Sequence, residues 1–125
     1  MLTLQSVEGK VLVEYHHAKD IKIPVFIINE ATDGKFIKGY QIQRGPIRGM
    51  VVAIDDGVIG WSLCNKKDIF NKEIAIDMAM KRAIIASKLS LKSRNNFYSR
   101  IPFSLNDEFL RMEERSEKYF NYDSN

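Results

Sequence analysis

Within seven consecutive positions, Arg94 to Arg100, this chain carries two arginines, two amides and two aromatics: Arg94, Asn95, Asn96, Phe97, Tyr98 and Arg100. A guanidinium presents a fork of N–H donors that matches a phosphate. An amide reads the edge of a base, and an aromatic ring offers the base a face. Together these are the parts of a nucleotide pocket. The same composition also fits a solvated loop whose aromatics tuck into a core. Two further arginines stand out. Arg82 lies in a small-residue groove with Ala75, Ala79 and Ala86, and Arg111 sits in an otherwise acidic segment. Each is either an anion ligand or one half of a structural ion pair.

Side chains suited to covalent or metal chemistry are sparse. No GxxxxGK[ST] or GxGxxG loop, no HExxH and no GxSxG elbow occurs. His16 and His17 are adjacent in an alternating stretch, so they point to opposite faces and cannot share a metal. Cys64 is the only cysteine, which rules out an intrachain disulfide and a cysteine cage and suits a reducing compartment. It reads as a small core residue at a strand end. Asp55 and Asp56 are what a hairpin turn requires. Trp61, the single tryptophan, reads as an anchor of the sheet against the first helix, with ligand stacking as the alternative. The expectation is a binding protein without catalysis, cofactor or metal.

The elements that must position these residues divide into strands first and helices last. Val11 to His17 and Ile21 to Ile28 alternate in the period of strands, and Pro24 requires the second of them to lie at an edge or to begin irregularly. A polar turn at Asn29–Gly34 leads to a third strand, Lys35–Gln43. Met50–Ile54 and Val58–Leu63 flank Asp55-Asp56-Gly57, the strongest hairpin signal in the chain. A first helix is expected over 71–89, with Asn71 as N-cap and Glu73 at the positive end of its dipole. Its polar residues Glu73, Asp77, Lys81 and Lys88 form a narrow stripe, so most of its circumference is apolar and must be covered by another layer or another subunit. Ser90 to Phe103 reads as a linker. A second helix is expected over 105–120, capped by Ser104, with Leu105, Phe109, Met112 and Phe120 as its apolar face. Residues 121–125 read as a fraying tail. The prediction is a single α+β domain over 1–125: an N-terminal antiparallel sheet within 1–64, with two C-terminal helices on one side or at one end of it.

With 125 residues, 45% hydrophobic and 28% charged, the chain has ordinary globular composition. The net charge of +3 is unevenly spread: residues 105–125 sum to −3, so the preceding part is +6. Such asymmetry suits an anionic ligand on one surface, or two elements that attract each other. The first residues lack a charged segment followed by an apolar core, and no apolar run approaches the ~20 residues that span a bilayer. These features lead us to expect a soluble, cytosolic protein with no membrane partner.

One longer run is more specific. Gly49-Met50-Val51-Val52-Ala53-Ile54, Gly60-Trp61-Ser62-Leu63-Cys64-Asn65, Asp68, Phe70-Asn71-Lys72 and Arg82-Ala83 together resemble phage proteins of the first Thoeris anti-defence family. The resemblance covers about a third of the chain. It implies a β-sheet domain followed by two helices, assembled into homo-oligomers, with hexamers favoured. It also implies a protein in the host bacterial cytoplasm that sequesters a signalling nucleotide without cleaving it. The nucleotide would be a cyclic isomer of ADP-ribose made by TIR-domain enzymes, with cyclic di- or trinucleotides at separate sites in some members. The chemistry of the side chains then suggests Arg82, Arg100 and Arg111 for the pyrophosphate, Asn95 or Asn96 for the adenine edge, and Phe97 or Met80 for its face. The rival readings are a basic nucleic-acid-binding protein, an enzyme hydrolysing the same signals, and a phage assembly or interaction protein. The first predicts steep salt dependence and affinity that grows with oligonucleotide length, whereas a discrete mononucleotide-sized pocket predicts neither.

Overall fold

The computed structural model describes residues 10–29 and 34–121. Five strands precede three helices: β1 (Leu12–His17), β2 (Ile21–Asn29), β3 (Gly34–Gln43), β4 (Ile47–Ala53), β5 (Ile59–Leu63), α1 (Lys72–Ser87), α2 (Leu91–Tyr98) and α3 (Asn106–Asn121). The protein is α+β, with antiparallel strands in two sheets followed by helices. Most of the polar turn read after Asn29 and most of the C-terminal tail lie outside the described residues. The segment read as a linker contains α2, a helix the sequence analysis did not anticipate. Ser90 caps it, accepting a hydrogen bond from the Ser93 amide at 3.3 Å. Eight residues that include the weak helix former Asn twice give little periodicity to detect.

The contacts divide the chain into two compact units, residues 17–47 and the remainder. In the larger unit the strand order is β1-β4-β5. β4 and β5 pair antiparallel from Gly49 opposite Leu63 to Ala53 opposite Ile59. They are joined by a single 3-10 turn, Asp55–Gly57, closed by the Ile54 and Val58 backbone. Gly57 takes φ +76°, the left-handed conformation that the turn needs and that β-carbons resist.

Met50, Val51, Val52 and Ala53 are all completely buried, which a strand with one solvated face cannot achieve. Met50, Val52, Ile54 and Val58 pack with Ala75, Ala79, Met80, Ala83 and Ala86 of α1. Val51, Ala53, Ile59 and Trp61 pack instead with Leu105 and with Met112 of α3. Helices therefore cover both faces of the sheet, where helices on one side or at one end were expected. Trp61 is corrected along with them. By alternation along β5 it points away from the α1 face and anchors the sheet toward α3. Phe109 and Phe120 join that cluster, as expected for the apolar face of α3. Ser104 does not cap α3; it lies in a 3-10 turn, Phe103–Leu105, ahead of it. Asn71 does cap α1, its side chain accepting the Ile74 amide at 3.1 Å.

α1 presents alanines to the sheet, and the sheet answers with Gly60. A β-carbon built on Gly60 would overlap the Ala79 carbonyl oxygen and stand 2.5 Å from the Ala83 amide nitrogen. Helix backbone thus rests directly on strand backbone. Beside the alanine face, Ile74, Met78 and Ile85 of α1 stay exposed in the single chain.

The smaller unit is a two-stranded ribbon. β2 and β3 pair from Ile21 opposite Gln43 to Asn29 opposite Gly34, with a register shift between Val25 and Phe26. Pro24 sits in a strand that has a free edge, as its missing N–H requires. His17 Nδ1 donates to the Gly45 carbonyl at 2.9 Å, and the Ala18 amide donates to Pro46 at 2.8 Å.

Gly60→Ala is expected to cost ~3 kcal/mol or more, since backbone cannot yield as a side chain does. Gly39→Ala, with no atom within 4 Å of the added carbon, is the control that stays near wild type in urea unfolding.

Candidate functional site

β5 is an edge strand, and its outward backbone groups need partners. Two side chains supply them. The Tyr98 hydroxyl accepts the Ile59 N–H at 2.9 Å, and Arg82 Nη1 donates to the Trp61 carbonyl at 2.6 Å. Covering this edge brings α2 and Arg82 of α1 to the same place. Arg94 helps hold α2 there, its Nε donating to the Ala86 carbonyl in the last turn of α1 at 3.0 Å.

The result is a cleft of about 390 Å³ lined by Trp61, Leu63, Arg82, Ile85, Phe97, Arg100 and Pro102. The Arg82 guanidinium lies 5.3 Å from the centre of the Trp61 ring, within cation–π range. Phe97 meets the same ring at 5.0 Å between centres, tilted by 52°. Burial draws Arg82 down from its ordinary pKa, the mark of a cation short of solvent. A second hollow, about 500 Å³, adjoins the first, shares Ile85, Phe97 and Arg100, and adds Leu89, Ser93 and Asn96. Among the described residues no carboxylate pairs with Arg82 or Arg100.

The structure therefore brings together Arg82, Phe97, Arg100 and Asn96 of the residues singled out from sequence. Asn95, one position earlier, faces the other side of α2. It lines a separate hollow of about 300 Å³ with Arg94, Tyr98, Glu113 and Ser116. Met80 is wholly buried in the core beneath α1 and offers a ligand no surface. Arg111 takes the structural alternative. It lies 3.5 Å from Glu108 and 4.0 Å from Glu14, in a network where Glu108 also accepts from His16 at 3.0 Å and Arg115 reaches Glu14 at 2.8 Å. That network ties β1 to α3 and is remote in residue membership from the cleft. His16 and His17 take separate partners.

Trp61 and Ile85 line the cleft but were not among the site residues chosen from sequence. Trp61 had a signal, its place in the GWSLCN run. It is only 4% exposed, so it is a floor for the cleft more than a stacking platform. Ile85 had none, because nothing in its spacing separates a cleft wall from a packing face.

Comparison with known protein families, with characterised proteins and with solved structures finds no match to this chain.

In the hollow behind α2, burial pushes the Glu113 carboxyl above the usual range. Burial also raises the Tyr98 phenol, outweighing the Ile59 N–H it accepts and the nearby Arg94 charge. A carboxyl that binds its proton more tightly folded than unfolded lends stability at low pH. That stability is lost as pH rises through its raised pKa. Glu113→Gln is accordingly expected to raise the urea midpoint at pH 7 and to leave it unchanged at pH 3, where both side chains are neutral.

Proposed function

We propose that this chain is a phage anti-defence protein that binds a cyclic ADP-ribose-type signalling nucleotide in the cleft beside β5 and holds it without cleaving it. The observation that carries the reading is the grouping of Arg82, Trp61, Phe97 and Arg100 around one hollow, with Asn96 in the next. A desolvated guanidinium and a solvent-facing one provide for a pyrophosphate. Phe97 provides a face and Asn96 an edge-reading amide. The volumes fall within the range of small-molecule sites.

The resemblance of residues 49–83 to the Thoeris anti-defence family supports the same reading, and the structure gives its residues distinct roles. Gly60 admits α1, and Asn71 caps it. The Asn65 and Asp68 carbonyls accept Arg48 Nη2 and Nη1 at 2.6 and 3.0 Å. Trp61, Leu63 and Arg82 line the cleft. The half-buried Cys64 directs its Sγ to the Asn65 and Asp68 carbonyls at 3.5 Å. Exposed Ile74, Met78 and Ile85 along α1 support a homo-oligomer, for which the resemblance favours a hexamer. The place of action is the host bacterial cytoplasm; no described helix is long and apolar enough to cross a membrane.

A sponge gains from tight binding, and nanomolar affinity corresponds to ~12 kcal/mol. The test is capture and release. The protein is mixed with cyclic ADP-ribose isomers and cyclic di- and trinucleotides, removed by filtration, denatured by heat, and its released contents read by mass spectrometry. A cyclic ADP-ribose isomer that is depleted and returns intact is the expected result. No depletion overturns binding, and a product of altered mass overturns the non-catalytic reading. Arg100→Ala is expected to weaken capture by roughly 10- to 100-fold, the loss of one charge-assisted hydrogen bond. Because Arg100 is exposed, its removal leaves the fold standing, whereas Arg82→Ala also uncaps Trp61.

A further inference from the structure

We infer that the hollow between α2 and α3 is a binding site for a small zwitterion, a free α-amino acid with an apolar side chain. The inference is independent of what the cleft binds.

Half of the cluster at Arg94–Arg100 has no part in the cleft. Asn96, Phe97 and Arg100 line the two adjoining hollows on that side of α2. Arg94, Asn95 and Tyr98 line instead a hollow of about 300 Å³, which Glu113, Ser116 and Glu117 of α3 complete. That volume lies at the lower end of the range for small-molecule sites.

The two walls carry opposite chemistry. On α2, Arg94 spends Nε and Nη2 on the Ala86 and Leu89 carbonyls, which leaves Nη1 without a partner among the described residues. The Tyr98 oxygen accepts the Ile59 N–H, so its own proton remains to be donated. On α3, Glu113 and Glu117 stand four residues apart, like charges on one face of a helix, which oppose each other. Neither has an ion pair among the described residues. Tyr98 lies within electrostatic reach of both Arg94 and Glu113, so the walls face one small space.

Ser116 supplies an independent sign. It lines the same hollow, is only 4% exposed, and its hydroxyl has no hydrogen-bond partner among the described residues. Buried hydroxyls are ordinarily satisfied, and rotation about one bond turns a serine toward a guest.

An anion alone would meet two carboxylates here, and a cation alone would meet a guanidinium. An amino acid answers both walls with charge-assisted hydrogen bonds. Its carboxylate takes Arg94 Nη1 and the Tyr98 hydroxyl, and its ammonium takes Glu113, Glu117 and Ser116. Leu91, 71% exposed at the hollow, gives its side chain an apolar wall.

The test is calorimetric titration of the full chain with L-leucine. The controls are 3-methylbutylamine and 4-methylpentanoate, which are leucine without its carboxylate and without its ammonium. Leucine is expected to bind, with both controls roughly tenfold weaker or more, since each lacks one charged end. Glu117→Gln is expected to weaken leucine binding by a similar factor. Glu114→Gln, on the same helix but outside the hollow, leaves it unchanged. Ser116→Ala is expected to weaken binding with no loss in the urea midpoint, a split that a purely structural serine would not give. Both glutamates are exposed, so their variants fold, which circular dichroism checks. No heat from leucine, equal affinity for either control, or equal effects of Glu117→Gln and Glu114→Gln overturns the inference.

Discussion

Backbone meets backbone where α1 crosses β5 at Gly60, and most of the larger unit follows from that approach. With no side chain at position 60, the alanines at 75, 79, 83 and 86 settle onto the sheet. A helix held so close has a fixed rotation about its axis. That rotation sends Arg82 over the rim of β5 to the Trp61 carbonyl and leaves Ile74, Met78 and Ile85 turned outward. A larger residue at 60 would lift the helix and withdraw the guanidinium from the cleft. Dense packing of this kind transmits small displacements, because interiors have little slack to absorb them.

The edge of β5 is the second constraint. An open edge invites unwanted pairing, and here Tyr98 and Arg82 each satisfy one of its outward groups. The side chains that protect the strand are also those that build the hollows on either side of α2. Arg82 and Phe97 line the cleft, while Tyr98 and Asn95 line the space behind. Arg82 both satisfies the strand edge and lines the cleft. Its guanidinium presents several donors, of which one is directed to the strand. In the ribbon no such cover is supplied from within the same unit, and apolar side chains remain on both faces.

Charged side chains join β1 to α3 within the larger unit. Glu108 engages His16 and Arg111, and Arg115 bridges to Glu14 and to the Val13 carbonyl. The pairs between β1 and α3 run mostly against the overall charge asymmetry, since the helix contributes Arg111 and Arg115 and the strand contributes Glu14, with only His16 and Glu108 in the other sense. Exposed pairs of this sort contribute little each. They commit Arg111 and Arg115 to carboxylates, whereas Arg82 and Arg100 have no carboxylate partner among the described residues.

The sequence by itself determined the order of the strands and of the first and last helices, the turn at Gly57, the cap at Asn71 and the apolar face of α3. Each depends on residues close along the chain and on a period of two or of 3.6. It also carried an unread sign of two-sided burial, since Met50–Ala53 is apolar without alternation. Only the tertiary structure decided where the candidate site lies. Arg82, Phe97 and Arg100 converge because α1 and α2 pack beside one edge strand, a relation no local pattern encodes. Asn95 and Asn96, indistinguishable as letters, part company because successive residues of a helix point ~100° apart. Met80 and Arg111 were reasonable by type, and both were consumed by packing and ion pairing with residues distant in sequence. Local periodicity fixes which face of an element is apolar. What that face meets depends on contacts across the fold, and it is there that a site is made.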